Sequence, residues 1–86
     1  MFWVYILRSL RNGKLYIGHT NNLARRVLDH NEGYGSQFTR QNGPWELVHK
    51  EEHPDRLSAA RRERYLKSVA GSREKRRLAG TGSDEI

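Results

Sequence analysis

The sequence has no cysteine and no long apolar run, and these two absences exclude several classes of protein. Without cysteine, neither a disulfide framework nor a thiolate metal site can stabilise the fold, and the composition suits a reducing compartment. No segment approaches the roughly 18 apolar residues that a membrane-spanning helix requires. The first residues read as the start of a strand and lack the basic segment of a secretory signal. We therefore expect a soluble, cytoplasmic protein whose fold depends on apolar packing.

The chain is short for a protein that must rely on its core alone. Its 86 residues are enough for one domain, and a chain of this length buries only about 60–65% of the surface that its extended form exposes. We expect one domain over residues 1–79. The small and acidic residues 80–86 predict a disordered tail.

Positive charge dominates the sequence and is concentrated in its C-terminal half. The net charge is +6 and the sequence pI is about 10.2. Nine of the 16 Lys and Arg residues follow residue 54, namely Arg56, Arg61, Arg62, Arg64, Lys67, Arg73, Lys75, Arg76 and Arg77. Such a cluster is typical of a surface that binds a polyanion, although a solvated, arginine-rich helix face has the same composition. Residues 61–77 lack the interleaved large apolar side chains that enter a lipid headgroup layer, so we expect no membrane partner.

Two short apolar runs near the N-terminus predict a β-hairpin. Residues 2–7 and 15–18 are rich in aromatic and β-branched residues, and Asn12-Gly13 between them is a signal for a two-residue turn. A turn at these two residues places Ser9 opposite Tyr16.

The predicted hairpin puts two tyrosines on the same face of the sheet. Because side chains alternate along a strand, Tyr5, Leu7, Tyr16 and Gly18 share one face, while the aliphatic residues at positions 4, 6, 15 and 17 share the other. We expect Gly18, which has no side chain, to leave room for a bound molecule to approach the backbone.

The rest of the chain predicts helices and one further strand. We expect a helix capped by Thr20 or Asn21 that runs to about His30, followed by a helical turn over residues 36–41 and a strand over residues 45–49. A second helix should run from Pro54 or Asp55 to about Val69, where Gly71 terminates it. A short helix over residues 72–78 should follow. This order predicts a mixed α/β fold of the α+β type, with a three-stranded antiparallel sheet flanked by helices.

Glu63 is an acidic residue at an inward-facing position of a predicted helix. It shares its helix side with Ala59, Leu66 and Ala70. Because burying an unpaired charge costs several kcal/mol, this carboxylate needs a partner. The residues alone leave two candidates open, an ion pair with Arg26 and a divalent metal ion.

Arg26 and His30 lie four residues apart on the first predicted helix, so they project side by side. An arginine can bind two phosphate oxygens at once, but Arg26 can equally pair with Asp29 or Glu32 on the surface. Arg25 points about 100° away and serves as a natural control. His30 can take part in proton transfer or be satisfied by solvent at the helix end.

Tyr5 and Tyr16 fit equally well as aromatic residues of the core. The reference pKa of tyrosine is about 10, so action as a base near neutral pH requires a nearby cation that favours the phenolate. His49 and His53 have the spacing of a metal site, but one lies in a strand and the other precedes a proline, so we expect no zinc there.

Four features share the order and spacing of one nuclease superfamily: Tyr5, the triplet Tyr16-Ile17-Gly18, Arg26 and Glu63. On these residues the chain resembles the GIY-YIG nuclease superfamily. The first half of the signature is relaxed to Trp3-Val4-Tyr5, the second half is literal, and the resemblance covers residues 2–67. Thr39-Arg40 followed by residues 43–48 is similar to a segment of the small, stand-alone bacterial members, which consist of the nuclease domain alone.

The resemblance implies a catalytic site and a cofactor. The implied catalytic residues are Tyr5, Tyr16, Arg26, His30 and Glu63. Glu63 is implied as the single acidic ligand of a divalent cation, and Mg²⁺, or Mn²⁺ in its place, suits such a site because it keeps most of its waters. The resemblance implies that the first tyrosine activates or orients the attacking water and that the second positions water or phosphate. It leaves open which of the two tyrosines is the base.

The resemblance implies a nucleic acid, DNA, as the partner, and we expect no small-molecule cofactor. We expect contacts to it from Gly18, His19, Thr20, Asn22, Arg40 and Lys67. His19 stands where many members carry lysine. The sequence-based prediction is a metal-dependent endonuclease acting on phosphodiester bonds. The alternative is a nucleic-acid-binding module that keeps the scaffold without turnover.

Overall fold

Three antiparallel strands form a sheet whose two faces are both covered by helices. The computed structural model describes residues 1–80, and its strands are β1 (Phe2–Ser9), β2 (Leu15–Thr20) and β3 (Trp45–His53), in the spatial order β2-β1-β3. Both pairings of the central strand β1 are antiparallel. The predicted fold class is confirmed, and β2 and β3 are the two edge strands.

Four helices complete the fold, namely α1 (Leu23–Asn31), α2 (Gln37–Asn42), α3 (Arg56–Lys67) and α4 (Ser72–Leu78). Asn22, Ser36 and Asp55 cap the first three helices by accepting a backbone N–H three residues later. The prediction that Thr20 or Asn21 caps α1 was wrong. Thr20 belongs to β2, and its hydroxyl accepts the backbone N–H of Asn22 instead.

The third helix ends at Lys67, two residues before the predicted end at Val69. Ser68 leaves the helical conformation with a ψ of 165°. Its hydroxyl donates to the carbonyl of Tyr65 at 2.6 Å. This local hydrogen bond competes with continuation of the helix.

The sheet separates two apolar clusters. Val4, Ile6 and Ile17 pack with Ala59 and Leu66 of α3 on one face. On the other face, the buried residues are Tyr5 and Leu7 of β1 and Trp45 of β3. They pack with half-buried side chains of β2 and α1, namely Tyr16, Leu23 and Val27. We call these the α3 face and the tyrosine face of the sheet.

The hairpin register differs by two residues from the predicted one. Tyr16 lies opposite Leu7 and not Ser9, because the loop has four residues, 10–13, in place of two. The Ser9 hydroxyl accepts the backbone N–H groups of Arg11 and Asn12, which stabilises the longer loop. In this loop only Gly13 has a positive φ, of 79°, whereas the predicted two-residue turn needs it at two positions. A shift of two residues keeps every side chain on its predicted face.

Strand β3 extends to His53, four residues beyond its predicted end at His49. It also contains a β-bulge at Val48, opposite the step from Ile6 to Leu7. Without a bulge, residues 45, 47, 49 and 51 would all lie on one face. Because of the bulge, Trp45 and Leu47 lie on the tyrosine face, whereas His49 and Glu51 lie on the α3 face.

No helix in residues 1–80 is long and apolar enough to cross a membrane. The tail predicted over residues 80–86 lies, apart from Gly80, outside the described residues, and the domain boundary at residue 79 stays a prediction.

Candidate active site

Tyr5 is the inner tyrosine of the site and is only 1% exposed. Its hydroxyl is 3.0 Å from Nε2 of His30, which is also 1% exposed. Gly18 makes room for this phenol, since a side-chain carbon at Gly18 would lie 2.5 Å from the Tyr5 hydroxyl oxygen. The space that we expected a bound molecule to use is therefore occupied by the protein's own tyrosine.

Burial keeps both members of this pair uncharged near neutral pH. Burial raises the pKa of Tyr5 to about 12, with further increases from Tyr16 and Glu63, while the neighbouring Arg26 opposes the shift. Burial, aided by the positive charge of Arg26, lowers the pKa of His30 to about 4, against a small opposite effect of Asp29. The phenol is therefore protonated and the imidazole is neutral.

Tyr16 is the outer tyrosine and remains half-buried. The centroid of its ring is 4.9 Å from that of His30 in an edge-on arrangement and 6.3 Å from that of Phe38 in a stacked one. Its ring also lies 5.9 Å from Nζ of Lys67, in the last turn of α3. Tyr16 therefore connects the buried pair to the third helix.

Glu63 approaches strand β2 from the α3 face. One carboxylate oxygen is 2.5 Å from Nδ1 of His19, and the other accepts a hydrogen bond from Nζ of Lys67 at 2.6 Å. Burial works against ionisation, but the hydrogen bonds from Lys67 and His19 outweigh it and lower the pKa of this carboxyl. Glu63 is therefore ionised at neutral pH, and its side chain is 18% exposed. The ion pair with Arg26 that the sequence left open is not formed.

The two halves of the site meet at the outer edge of β2. Along this strand, Tyr16 and Gly18 lie on the tyrosine face, and the side chain of His19 points to the α3 face. Because β2 is an edge strand, a side chain from α3 can reach around it. Lys67 does so, since it binds Glu63 and lies over the ring of Tyr16.

Arg26 is the cation of the site on the α1 side. Its guanidinium lies 4.0 Å from Asp29, and its side chain is 39% exposed. The same carboxylate has a closer partner in Arg25, at 3.0 Å, whose side chain is 71% exposed. Arg25 thus satisfies Asp29, and Arg26 is left with a long ion pair beside Tyr5.

The side chains expected to contact nucleic acid have different surroundings. His19 and Lys67 are held by Glu63. Thr20 and Asn22 build the turn and the helix cap between β2 and α1. Arg40 is exposed on α2.

The site depends on residues to which the sequence gave no role. Thr39, fully buried, lies 3.0 Å from Nδ1 of His30. Asn31 exchanges two hydrogen bonds with the backbone of Trp45 and so joins α1 to the start of β3. A pattern of apolar residues cannot reveal a buried hydroxyl or amide, because the partner of such a group is known only from the tertiary structure.

His49 and His53 belong to a separate ionic cluster. Both donate to the carboxylate of Glu51, at 2.8 and 3.0 Å, and Arg62 binds the same carboxylate at 2.8 Å. Arg62 also binds Glu74 of α4, so the cluster links β3, α3 and α4.

The donor set fits a divalent cation bound by a single carboxylate. Within residues 1–80, no group of three or more His, Cys, Asp or Glu side chains could hold a metal ion. Glu63 is ionised and partly exposed, and its present partners are a histidine and a flexible lysine that can move away. A cation such as Mg²⁺, which keeps several waters and needs only one or two carboxylates, suits this arrangement.

The fold, with Tyr5 on the central strand β1 and Tyr16 on the edge strand β2, defines the class of the protein, a small nuclease-type domain. The family model described as the GIY-YIG catalytic domain matches residues 1–77, and the chain belongs to this family.

Its relatives include small proteins of similar length. The chain is 39% identical over 77 residues to a UPF0213 protein of Natronomonas pharaonis, covering 90% of this chain and 89% of the relative. It is 42% identical over 69 residues to a UPF0213 protein of Clostridium perfringens, covering 80% and 73%. The solution NMR structure of a UPF0213 protein from Bacillus halodurans matches with a TM-score of 0.55 and 30% identity, over 99% of this chain and 90% of that one. The resemblance to small, stand-alone members of the family is confirmed.

Proposed function

We propose that this domain is a metal-dependent endonuclease that hydrolyses phosphodiester bonds in DNA. The observation that carries the proposal is the position of Glu63. Its ionised carboxylate lies at the edge of β2, and Lys67 connects it to Tyr16. The Glu63 side chain is 18% exposed there, so a cation from solvent can reach it.

Glu63 is the residue that would hold Mg²⁺, or Mn²⁺ in its place. When bound, such an ion supplies positive charge that polarises the phosphate and lowers the pKa of a bound water. His19 and Lys67 form hydrogen bonds with this carboxylate. If a cation bound Glu63, either side chain could bind a phosphate oxygen instead.

Side chains of this protein bind the phosphate and contact the attacking water. Arg26 binds the phosphate and offsets the charge that develops on it during attack. Tyr16, the tyrosine that reaches the surface, contacts the attacking water. Tyr5 and His30 are sealed from solvent, so they act by orienting Tyr16 and Arg26. Tyr5 is given this indirect role because it is only 1% exposed, and direct activation or orientation of the water by Tyr5 stays a prediction from the family resemblance.

The charge of the surface supports a nucleic-acid substrate. Arg40, Arg61, Arg64 and Arg73 are all exposed. Such side chains attract a phosphate backbone without reading its sequence.

A plasmid nicking assay with charge-matched variants tests the proposal. Wild-type protein and Glu52→Gln, which removes an exposed carboxylate of β3, should nick plasmid with Mg²⁺ or Mn²⁺ and stop when EDTA is added. Glu63→Gln should cleave about 100-fold more slowly or not at all, while its circular dichroism spectrum stays unchanged. Equal rates for the two variants would refute the proposal.

One observation favours the alternative, a nucleic-acid-binding module without turnover. Both carboxylate oxygens of Glu63 already have cationic or imidazole partners, as in a structural ion pair. This alternative predicts binding without metal, measured by fluorescence anisotropy, and an affinity that falls steeply with salt. It also predicts no cleavage by the wild type in the nicking assay.

A further inference from the structure

Thr39 lies at a branch point of buried hydrogen bonds behind the candidate active site. It is fully buried, and its Oγ1 is 3.0 Å from Nδ1 of His30. The same oxygen is 3.0 Å from the carbonyl oxygen of Ser36 and 3.4 Å from the Ser36 hydroxyl. A side-chain carbon at Gly35 would collide with both Nδ1 of His30 and Oγ1 of Thr39, so the contact between them is enclosed.

The hydrogens of this contact can be assigned from the partners. A hydroxyl has one hydrogen to donate, and a carbonyl oxygen can only accept. Placing the single Thr39 hydrogen on the carbonyl of Ser36, which can only accept, makes this hydroxyl an acceptor toward His30. Donation to the Ser36 hydroxyl would lead to the same conclusion. Nδ1 of His30 must therefore carry a hydrogen.

This assignment determines the other nitrogen of the ring. A neutral imidazole has one N–H group, so Nε2 carries a lone pair. Tyr5 lies 3.0 Å from Nε2 and must donate its hydroxyl hydrogen there. We propose that Thr39 is a positioning residue, which fixes His30 as the Nδ1–H tautomer and thereby makes the Tyr5 hydroxyl a donor to Nε2.

The direction of these hydrogen bonds matters for Arg26. Once the phenol oxygen has given its hydrogen to His30, it can only accept from other groups, and Arg26 is the donor beside it. In the opposite tautomer, Nε2–H of His30 would donate to the phenol oxygen. The hydroxyl hydrogen of Tyr5 would then point toward Arg26, whose guanidinium can only donate. Thr39 therefore makes the phenol oxygen an acceptor on the side of Arg26, with His30 as the intermediate side chain.

The consequence for catalysis rests on the proposed function, but the tautomer does not. The tautomer is a property of the free protein and needs neither metal nor substrate. Thr39→Val keeps the shape of the side chain and removes the acceptor, whereas Thr39→Ser keeps the hydroxyl.

Two-bond ¹H–¹⁵N correlation spectra of the histidine rings at pH 7.5 test the proposal in the free protein. Comparison with a His30→Asn variant assigns the His30 signals. Wild type and Thr39→Ser should show the Nδ1–H tautomer. In Thr39→Val the Nε2–H tautomer should become the major form, because Nδ1–H would otherwise be buried without an acceptor. An Nε2–H tautomer in the wild type, or an unchanged tautomer in Thr39→Val, would overturn the proposal. If Thr39→Val does not fold, the wild-type spectrum alone decides.

The nicking assay provides a second, separate readout. Thr39→Val should lower turnover on the order of 10- to 100-fold, the range typical for loss of an imidazole-orienting partner, and Thr39→Ser should restore it. Full activity of Thr39→Val would contradict the positioning role. A wild type that shows the Nδ1–H tautomer but no cleavage would refute the proposed function and leave the tautomer assignment standing.

Discussion

His30 connects the chemistry of the site with the stability of the fold. Its ring contacts Tyr5, Tyr16 and Thr39, and it is almost completely buried. A buried, neutral imidazole is unfavourable to protonate, which is the reason for its depressed pKa of about 4.

This burial predicts a specific dependence of stability on pH. The pKa of His30 falls from its ordinary value of 6.5 to about 4 in the folded state. Between these values the unfolded chain binds more protons, so the free energy of unfolding decreases as pH falls from 6.5 toward 4. The depression is equivalent to a loss on the order of 3 kcal/mol. Urea unfolding at pH 7.5 and 4.5 measures this loss.

Two variants isolate the contribution of His30 to that loss. His30→Asn should lose clearly less free energy of unfolding between the two pH values than the wild type, even though it is less stable at pH 7.5. Asn31→Ala, which removes an uncharged side chain that joins α1 to β3, should lose about as much as the wild type because asparagine does not titrate. An equal loss in wild type and His30→Asn would show that His30 is not the group that titrates.

Among the elements, β3 and α3 are held together by the Glu51 cluster. Arg62 binds Glu51 of β3 and Glu74 of α4, and all three side chains are less than one-third exposed. Burial raises the pKa of Glu51, but Arg62, His49 and His53 outweigh it and lower this pKa to about 2. The cluster positions α3, and through α3 it positions Glu63.

Glu51→Gln should therefore destabilise the fold at neutral pH and reduce its sensitivity to acid. The pKa of Glu51 is depressed from 4.5 to about 2, so its contribution, on the order of 3 kcal/mol, is present above pH 4.5 and lost as pH falls toward 2. Thermal unfolding at pH 7 and pH 3 measures both effects. Glu46→Gln removes an exposed partner of Arg8 and should cost less than about 1 kcal/mol. If the two variants behave alike, the cluster does not anchor α3.

The sequence predicted the elements well where caps and alternation mark them. Ser72–Leu78 was predicted with its observed bounds, and the two faces of the hairpin were predicted correctly. The end of β3 was missed because residues 50–53 are all polar, and their strand conformation comes from pairing with β1 and from ionic contacts with α3. The hairpin loop was missed because Ser9 stabilises a four-residue turn through its side chain, which the Asn-Gly signal does not reveal.

At the scale of the whole molecule, the candidate site exists because an edge strand allows two sheet faces to meet. Tyr5 and Arg26 belong to the side of α1, and Glu63 belongs to α3, with β2 between them. The family pattern pointed to Tyr5, Arg26 and Glu63 as candidates, but composition and periodicity could not show that Lys67 joins the two sides.

The positive surface is smaller than the sequence suggests. Arg62 is bound by Glu51 and Glu74, and Lys67 is bound by Glu63. Some basic residues of α3 and α4 are thus used to hold the fold, whereas Arg61, Arg64 and Arg73 are exposed. One arginine-rich segment thus contributes both to the fold and to the exposed positive charge.

The central claim is that the hairpin and α3 contribute to one hydrolytic site, and a double-mutant cycle on DNA cleavage tests it most directly. Rates with Mg²⁺ are measured for wild type, Tyr16→Phe, Glu63→Gln and the double variant, with circular dichroism as the control for folding. Residues that act as a unit are strongly non-additive, so each single change should slow cleavage by about 100-fold or more, and the double variant should be no slower than the slower single variant. Cleavage at the wild-type rate by either single variant, or losses that multiply in full in the double variant, would contradict the account.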